Sequence, residues 1–68
     1  MLDEKIQELI AIGASVSANC HPCVEYHVAK AHDLKIDENE IRQAIDVGKM
    51  VGKGAAGQMD KLIEELFK

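Results

Sequence analysis

The sequence predicts an all-α domain of about four helices, and three observations carry that expectation. The apolar residues are almost all aliphatic or alanine, with one tyrosine, one phenylalanine and no tryptophan, a mixture that favours helices over strands. Apolar side chains recur at three- and four-residue intervals along most of the chain. Helix-start signals, Asp37 followed by Glu40 and a proline at Pro22, stand where two of those periodic runs begin.

At 68 residues the chain makes one domain, residues 1–68, and a domain this small buries only about 60% of the surface its unfolded chain exposes. Two cysteines three residues apart close too short a loop to add much stability, so self-association is the expected remedy. The formal net charge of −4 comes with no basic cluster, so neither nucleic acid nor anionic lipid is an expected partner. Met1-Leu2-Asp3-Glu4-Lys5 offers neither a basic start nor an uninterrupted apolar run. No signal peptide or membrane span is expected, and the protein is placed in the cytoplasm. In that compartment a C-x-x-C pair is more often catalytic or metal-binding than architectural.

Taking the elements in order, Leu2, Ile6, Leu9, Ile10, Gly13 and Val16 form the stripe of a first helix over about residues 3–18. Ala11, Ile12 and Ala14 make its second half apolar nearly all round, as expected of a helix covered on more than one side. Asn19 and Cys20 interrupt the run. Pro22 then falls in the first turn of a second helix, where its missing N–H leaves no bond unmade, and that helix runs to about His32. Val24, Val28 and Ala31 share one face of it, while Cys23 and His27 share a neighbouring one.

Asp33-Leu34-Lys35 connects to a third helix that starts at Glu38, capped by Asp37 and stapled by Ile36 and Ile41. Its stripe is Ile41, Ala44, Ile45, Gly48 and Val51, and the series Ala44, Gly48, Gly52 lets another helix come close. Gly52, Gly54 and Gly57 around Lys53 read as a hinge; no Ser or Thr follows the lysine, so it is not a Walker phosphate loop. A fourth helix follows, with Met59, Leu62, Ile63 and Leu66 turned inward.

The chemistry concentrates in Asn19-Cys20-His21-Pro22-Cys23. Two thiols three residues apart span a first helical turn, where a disulfide can form and unpaired backbone N–H groups stabilise a thiolate. His21 and His27 stand near enough in sequence to tune the thiols or to carry protons. The competing reading from a different class is a metal-dependent assembly module, with Cys20, Cys23 and His27 binding zinc and His21, His32 or a second subunit completing the set. No second C-x-x-C or H-x-x-x-H pair exists to close such a site within one chain.

Glu8, Cys20-x-x-Cys23-x-x-x-His27, the Asp37-to-Ala44 helix start and the glycine-rich stretch together resemble the carboxymuconolactone decarboxylase superfamily, closest to its alkylhydroperoxidase D-like branch. The resemblance covers most of the chain. It implies an all-helical homo-oligomer, a trimer or hexamer, with a dithiol that reduces peroxides or disulfides, an external thiol reductant as partner and no bound organic cofactor. It further implies that Cys23 attacks the peroxide, that Cys20 resolves the product as a disulfide, and that Glu8 and His27 relay protons. Thioredoxin-type chemistry would make Cys20 the attacker. Some members carry a histidine immediately before the second cysteine, whereas this chain has Pro22 there, so His21 does not inherit that place. Lactone decarboxylation is not expected, because that branch does not rely on a cysteine pair.

Antiparallel packing of the first two helices about Asn19 would bring Glu8 and His27 to within roughly 6 Å along the axis, at ~1.5 Å per residue. Two long side chains and one water would bridge that gap.

Overall fold

In a computed structural model, which describes residues 2–67 apart from the side chains of 55–58, the chain folds into three helices. They are α1, Glu4–Ser17, α2, His21–Asp33, and α3, Glu38–Leu66. Each of the two capped starts uses an aspartate. The Asp3 carboxylate accepts from the Lys5 N–H at 2.8 Å and that of Asp37 from the Asn39 N–H at 2.7 Å, satisfying amides that lack a partner inside the helix.

The two connections end their helices in one way. After α1, Asn19 turns to φ 55°, its N–H donates to the Val16 carbonyl, and the Cys20 N–H donates to the Ser15 carbonyl, both at 3.0 Å. After α2, Lys35 takes φ 58°, its N–H donates to the His32 carbonyl at 3.0 Å, and the Ile36 N–H donates to the Ala31 carbonyl at 3.1 Å. These are paired Schellman closures. Asparagine tolerates the left-handed conformation, while lysine adopts it against its own preference.

The second closure delivers Ile36 into the core. There it joins Ile12, Ala31 and Ile41, with Leu9, Val28, Leu34, Ala44 and Ile45 packed around them. Ile36 and Ile41, either side of the α3 start, are both buried, as the expected staple requires.

Helices α1 and α3 run parallel and close. A Cβ built at Gly48 would lie 2.5 Å from the Gly13 carbonyl oxygen and 2.8 Å from the Val16 Cβ, and one at Gly52 would lie 3.4 Å from the Ser17 Cα. The small-residue series therefore serves close helix packing, as its spacing predicts.

Three expectations need correction. The hinge at Gly52–Gly57 and a separate fourth helix do not exist: α3 continues through both to Leu66. Glycine weakens a helix by about 1 kcal/mol without breaking it, and none of the described glycines takes the positive φ that a joint would exploit. Met59, Leu62, Ile63 and Leu66 accordingly point to solvent, at 56%, 50%, 46% and 70% exposure, rather than inward. On α1 the buried residues are Glu8, Ile12 and Ser15, while Ile6 and Ile10 stay exposed. Helix α2 covers the first set and α3 the Gly13–Val16 side, so Ile6 and Ile10 line an open groove with Val47 and Val51.

The result is elongated, 51 × 22 × 22 Å, with a radius of gyration of 14.6 Å, against ~11 Å for a compact chain of this length. No described helix is long and apolar enough to cross a membrane.

Candidate functional site

Cys20 is the N-cap of α2, with extended backbone at φ −96° and ψ 95°, and Pro22 lies in the first turn. Its carbonyl accepts from the Val24 N–H at 3.0 Å, and its own N–H is held by Ser15 of α1. The end of α1 and the start of α2 thus meet at this one peptide. Cys23 follows three positions later, and the two sulfurs are joined as a disulfide across a Cα–Cα distance of 5.3 Å. Both residues are half-buried, whereas His21 and Pro22 are exposed. The first turn of α2 carries no acidic residue and its last turn carries Lys30 and His32. That distribution leaves the positive end of the helix dipole to the sulfurs.

One turn beyond, the Nδ1 of His27 is hydrogen-bonded to Oε1 of Glu8. Residue spacing predicts a water between these two side chains; they meet directly instead. Glu8 is only 4% exposed, an unusual place for a carboxylate, and a buried charge persists where it is paired. Its pairing is twofold, because Lys30 Nζ lies 3.8 Å from Oε2.

A carboxylate has no proton to give, so the shared proton belongs to the imidazole Nδ1. In neutral His27 that tautomer leaves Nε2 unprotonated, on a ring whose orientation is fixed from behind. The ring is also braced by Tyr26, edge-on with centroids 5.0 Å apart. Cys23 and His27 are four residues apart on α2 and so share a face.

The four residues proposed from the sequence form two pairs on α1 and α2: Cys20 and Cys23, joined at the start of α2, and His27, one turn beyond Cys23, bonded to Glu8 of α1. Lys30 was missed. Its signal was present, since it follows His27 by three residues and so lies on the face turned to Glu8. His21 and His32 are exposed. Among the described residues no group of three or more His, Cys, Asp or Glu side chains is arranged to hold a metal ion, and Cys20 and Cys23 are bonded to each other.

No curated protein and no solved structure matches the chain. A family model does, that of the carboxymuconolactone decarboxylase family, over residues 1–59. The match spans the whole Glu8–Cys20–Cys23–His27 constellation, and the chain belongs to the carboxymuconolactone decarboxylase family.

Proposed function

We propose that the protein is a thiol–disulfide oxidoreductase of the alkylhydroperoxidase D-like kind, reducing peroxides or disulfides with Cys20 and Cys23 and recharged by an external thiol in the cytoplasm. The observation that carries this reading is a buried carboxylate fixing one nitrogen of His27, a single turn past a bonded C-x-x-C pair.

In the reduced protein, Nε2 of His27 accepts the thiol proton of its helix-face neighbour, Cys23. The thiolate then attacks one oxygen of the hydroperoxide. The O–O bond breaks, the sulfur becomes a sulfenic acid, and the leaving alkoxide takes the proton from His27 to depart as an alcohol. Cys20 sulfur attacks the sulfenic sulfur, expelling water and forming the Cys20–Cys23 disulfide. An external dithiol restores both thiols by exchange and is itself oxidised. With a disulfide as substrate the first step is instead a mixed disulfide and a released thiolate.

Glu8 orients His27 and stabilises the imidazolium that forms, and Lys30 holds the other carboxylate oxygen. The test is steady-state turnover with an alkyl hydroperoxide and, separately, a low-molecular-weight disulfide, each with dihydrolipoamide as donor. Turnover with at least one oxidant is expected, with Cys23→Ser abolishing it. Absence of turnover with both would remove the reading.

A further inference from the structure

We infer that Lys30 is a positioning residue that balances the charge of Glu8, so that the electrically neutral state of the site is the reactive one. The inference rests on the redox reading for its choice of reacting groups, but its test needs no oxidant.

It begins with the two oxygens of one buried carboxylate. Glu8 reaches from α1 into a place only 4% exposed, and both of its polar partners come from α2. His27 Nδ1 is bonded to Oε1, and Lys30 Nζ lies 3.8 Å from Oε2. The second distance is that of an ion pair rather than a hydrogen bond, so what Lys30 delivers to the carboxylate is charge. His27 and Lys30 are three residues apart, which puts both on the helix face turned to α1. The lysine side chain is 41% exposed. Its ammonium thus stays in contact with water, whereas the carboxylate it faces has almost none.

Counting charge gives the direction. With Cys23 reduced, the fully protonated site holds a thiol, an imidazolium, a carboxylate and an ammonium, and carries one net positive charge. Loss of one proton, whether from the sulfur or from the ring, brings it to neutrality. That state contains a thiolate beside an imidazolium, or a thiol beside an imidazole able to take its proton. Without Lys30 the same step would run from neutrality to a net negative charge. A net charge in a largely dehydrated site costs free energy, so the lysine favours the deprotonated, reactive form. Proton transfer from Cys23 to His27 then moves charge within the site and leaves the total at zero.

The other charges nearby do not take this role. On α1, Glu4 and Lys5 precede Glu8 by one turn, are exposed and oppose each other in sign. On α2, Tyr26 meets the His27 ring edge-on, and His21 and Glu25 are exposed. On α3, Glu38, Arg42, Asp46 and Lys49 line a groove with Val28 and His32, on another side of α2, and Arg42 pairs with Glu38. Among the described residues only His27 and Lys30 form ion pairs with Glu8. Lys30 also lies in the last turn of α2, where a cation complements the helix dipole. That role alone predicts a loss of stability with no change in the pH response of the thiol.

The experiment is the rate of iodoacetamide alkylation of the reduced protein against pH, on a Cys20→Ser background so that Cys23 alone is read. Lys30→Met keeps the aliphatic stem and removes the charge. It should move the acid limb of the profile up by about half a pH unit, or roughly threefold slower reaction at a given pH on that limb, the size expected of a partly exposed charge. Lys30→Arg should keep the limb in place, and Glu8→Gln, which removes the opposite charge, should move it down even as the plateau falls. A Lys30→Met profile superimposable on that of its parent overturns the inference, and so does a Lys30→Arg profile displaced as far as that of Lys30→Met. Where Lys30→Met loses its helical circular dichroism, Lys30→Gln takes its place under the same criteria. Turnover of peroxide or disulfide is measured separately, so its absence would remove the redox reading and leave the position of the limb to decide the charge balance.

Discussion

Up to Gly52, α3 has α1 along one side and α2 and the Ile36 turn near its start; from Lys53 to Leu66 it has neither. The hydrogen-bonded backbone is one helix throughout, and the apolar spacing is the same on both sides of Gly52. Only the neighbours differ. The comparison separates two properties that amphipathic spacing usually joins: periodicity specifies that a helix will have an apolar face, but not what that face will meet.

The largest expected difference between the two regions is in side-chain truncation. Ile12 is fully buried, and Ile12→Ala should lower stability by about 3 kcal/mol. Leu62→Ala should change it by no more than about 0.5 kcal/mol at concentrations where the chain is monomeric. Urea midpoints at high dilution check this, and equal losses would break the comparison.

Alanine in place of glycine sharpens it, because the sign should reverse. At Gly48 the new methyl group meets the Gly13 backbone and Val16, so Gly48→Ala should cost about 2 kcal/mol through overpacking. At Gly54 the methyl group meets nothing, and Gly54→Ala should stabilise the helix by up to about 1 kcal/mol. Thermal unfolding followed by helical circular dichroism measures both.

The site lies wholly in the packed region and should respond to a change that leaves packing alone. Glu8→Gln keeps the size of the side chain and removes its charge. Alkylation of the reduced protein should slow about tenfold, or 1.4 kcal/mol of barrier, with the fold and the disulfide intact. Superimposable rate profiles for the two proteins would take Glu8 out of the mechanism. The smallest effect is expected at Lys35, held at positive φ where α1's equivalent turn has Asn19. Lys35→Asn should stabilise by about 0.5 kcal/mol in the same thermal experiment.

Much of this was legible in the sequence. Asp37, Ile36 and Ile41 announce the start of α3 through short-range chemistry, and Pro22 announces α2. The pairing of Glu8 with His27 is implied by the family resemblance, and counting residues from the Asn19 turn supports it with a water between side chains that in the structure meet directly. What was not legible depends on tertiary neighbours. Gly52, Gly54 and Gly57 suggest a hinge because glycine disfavours a helix locally, yet a penalty of about 1 kcal/mol each does not break a helix that is already propagating. Ile6 and Ile10 looked like core because they are apolar and correctly spaced. Their exposure follows from α2 and α3 taking two other sides of α1, a choice that no single helix records. The closure at Lys35 escaped notice because nothing in a lysine advertises a left-handed turn.

The amide of Cys20 donates to the Ser15 carbonyl and its carbonyl accepts from the Val24 N–H, two bonds that involve neither sulfur. In the proposed cycle, opening the disulfide would leave this peptide anchored at both faces, and only side-chain torsions would need to change. The second thiol stays at high effective molarity beside the first, with its translational and backbone entropy already surrendered during folding. In the proposed peroxide cycle, ring closure would then outrun a second oxidant molecule, which would drive the half-buried sulfenic acid toward the irreversible sulfinic state. On the proposed function, a hydrogen bond at the end of α1 would thus safeguard the lifetime of the catalyst.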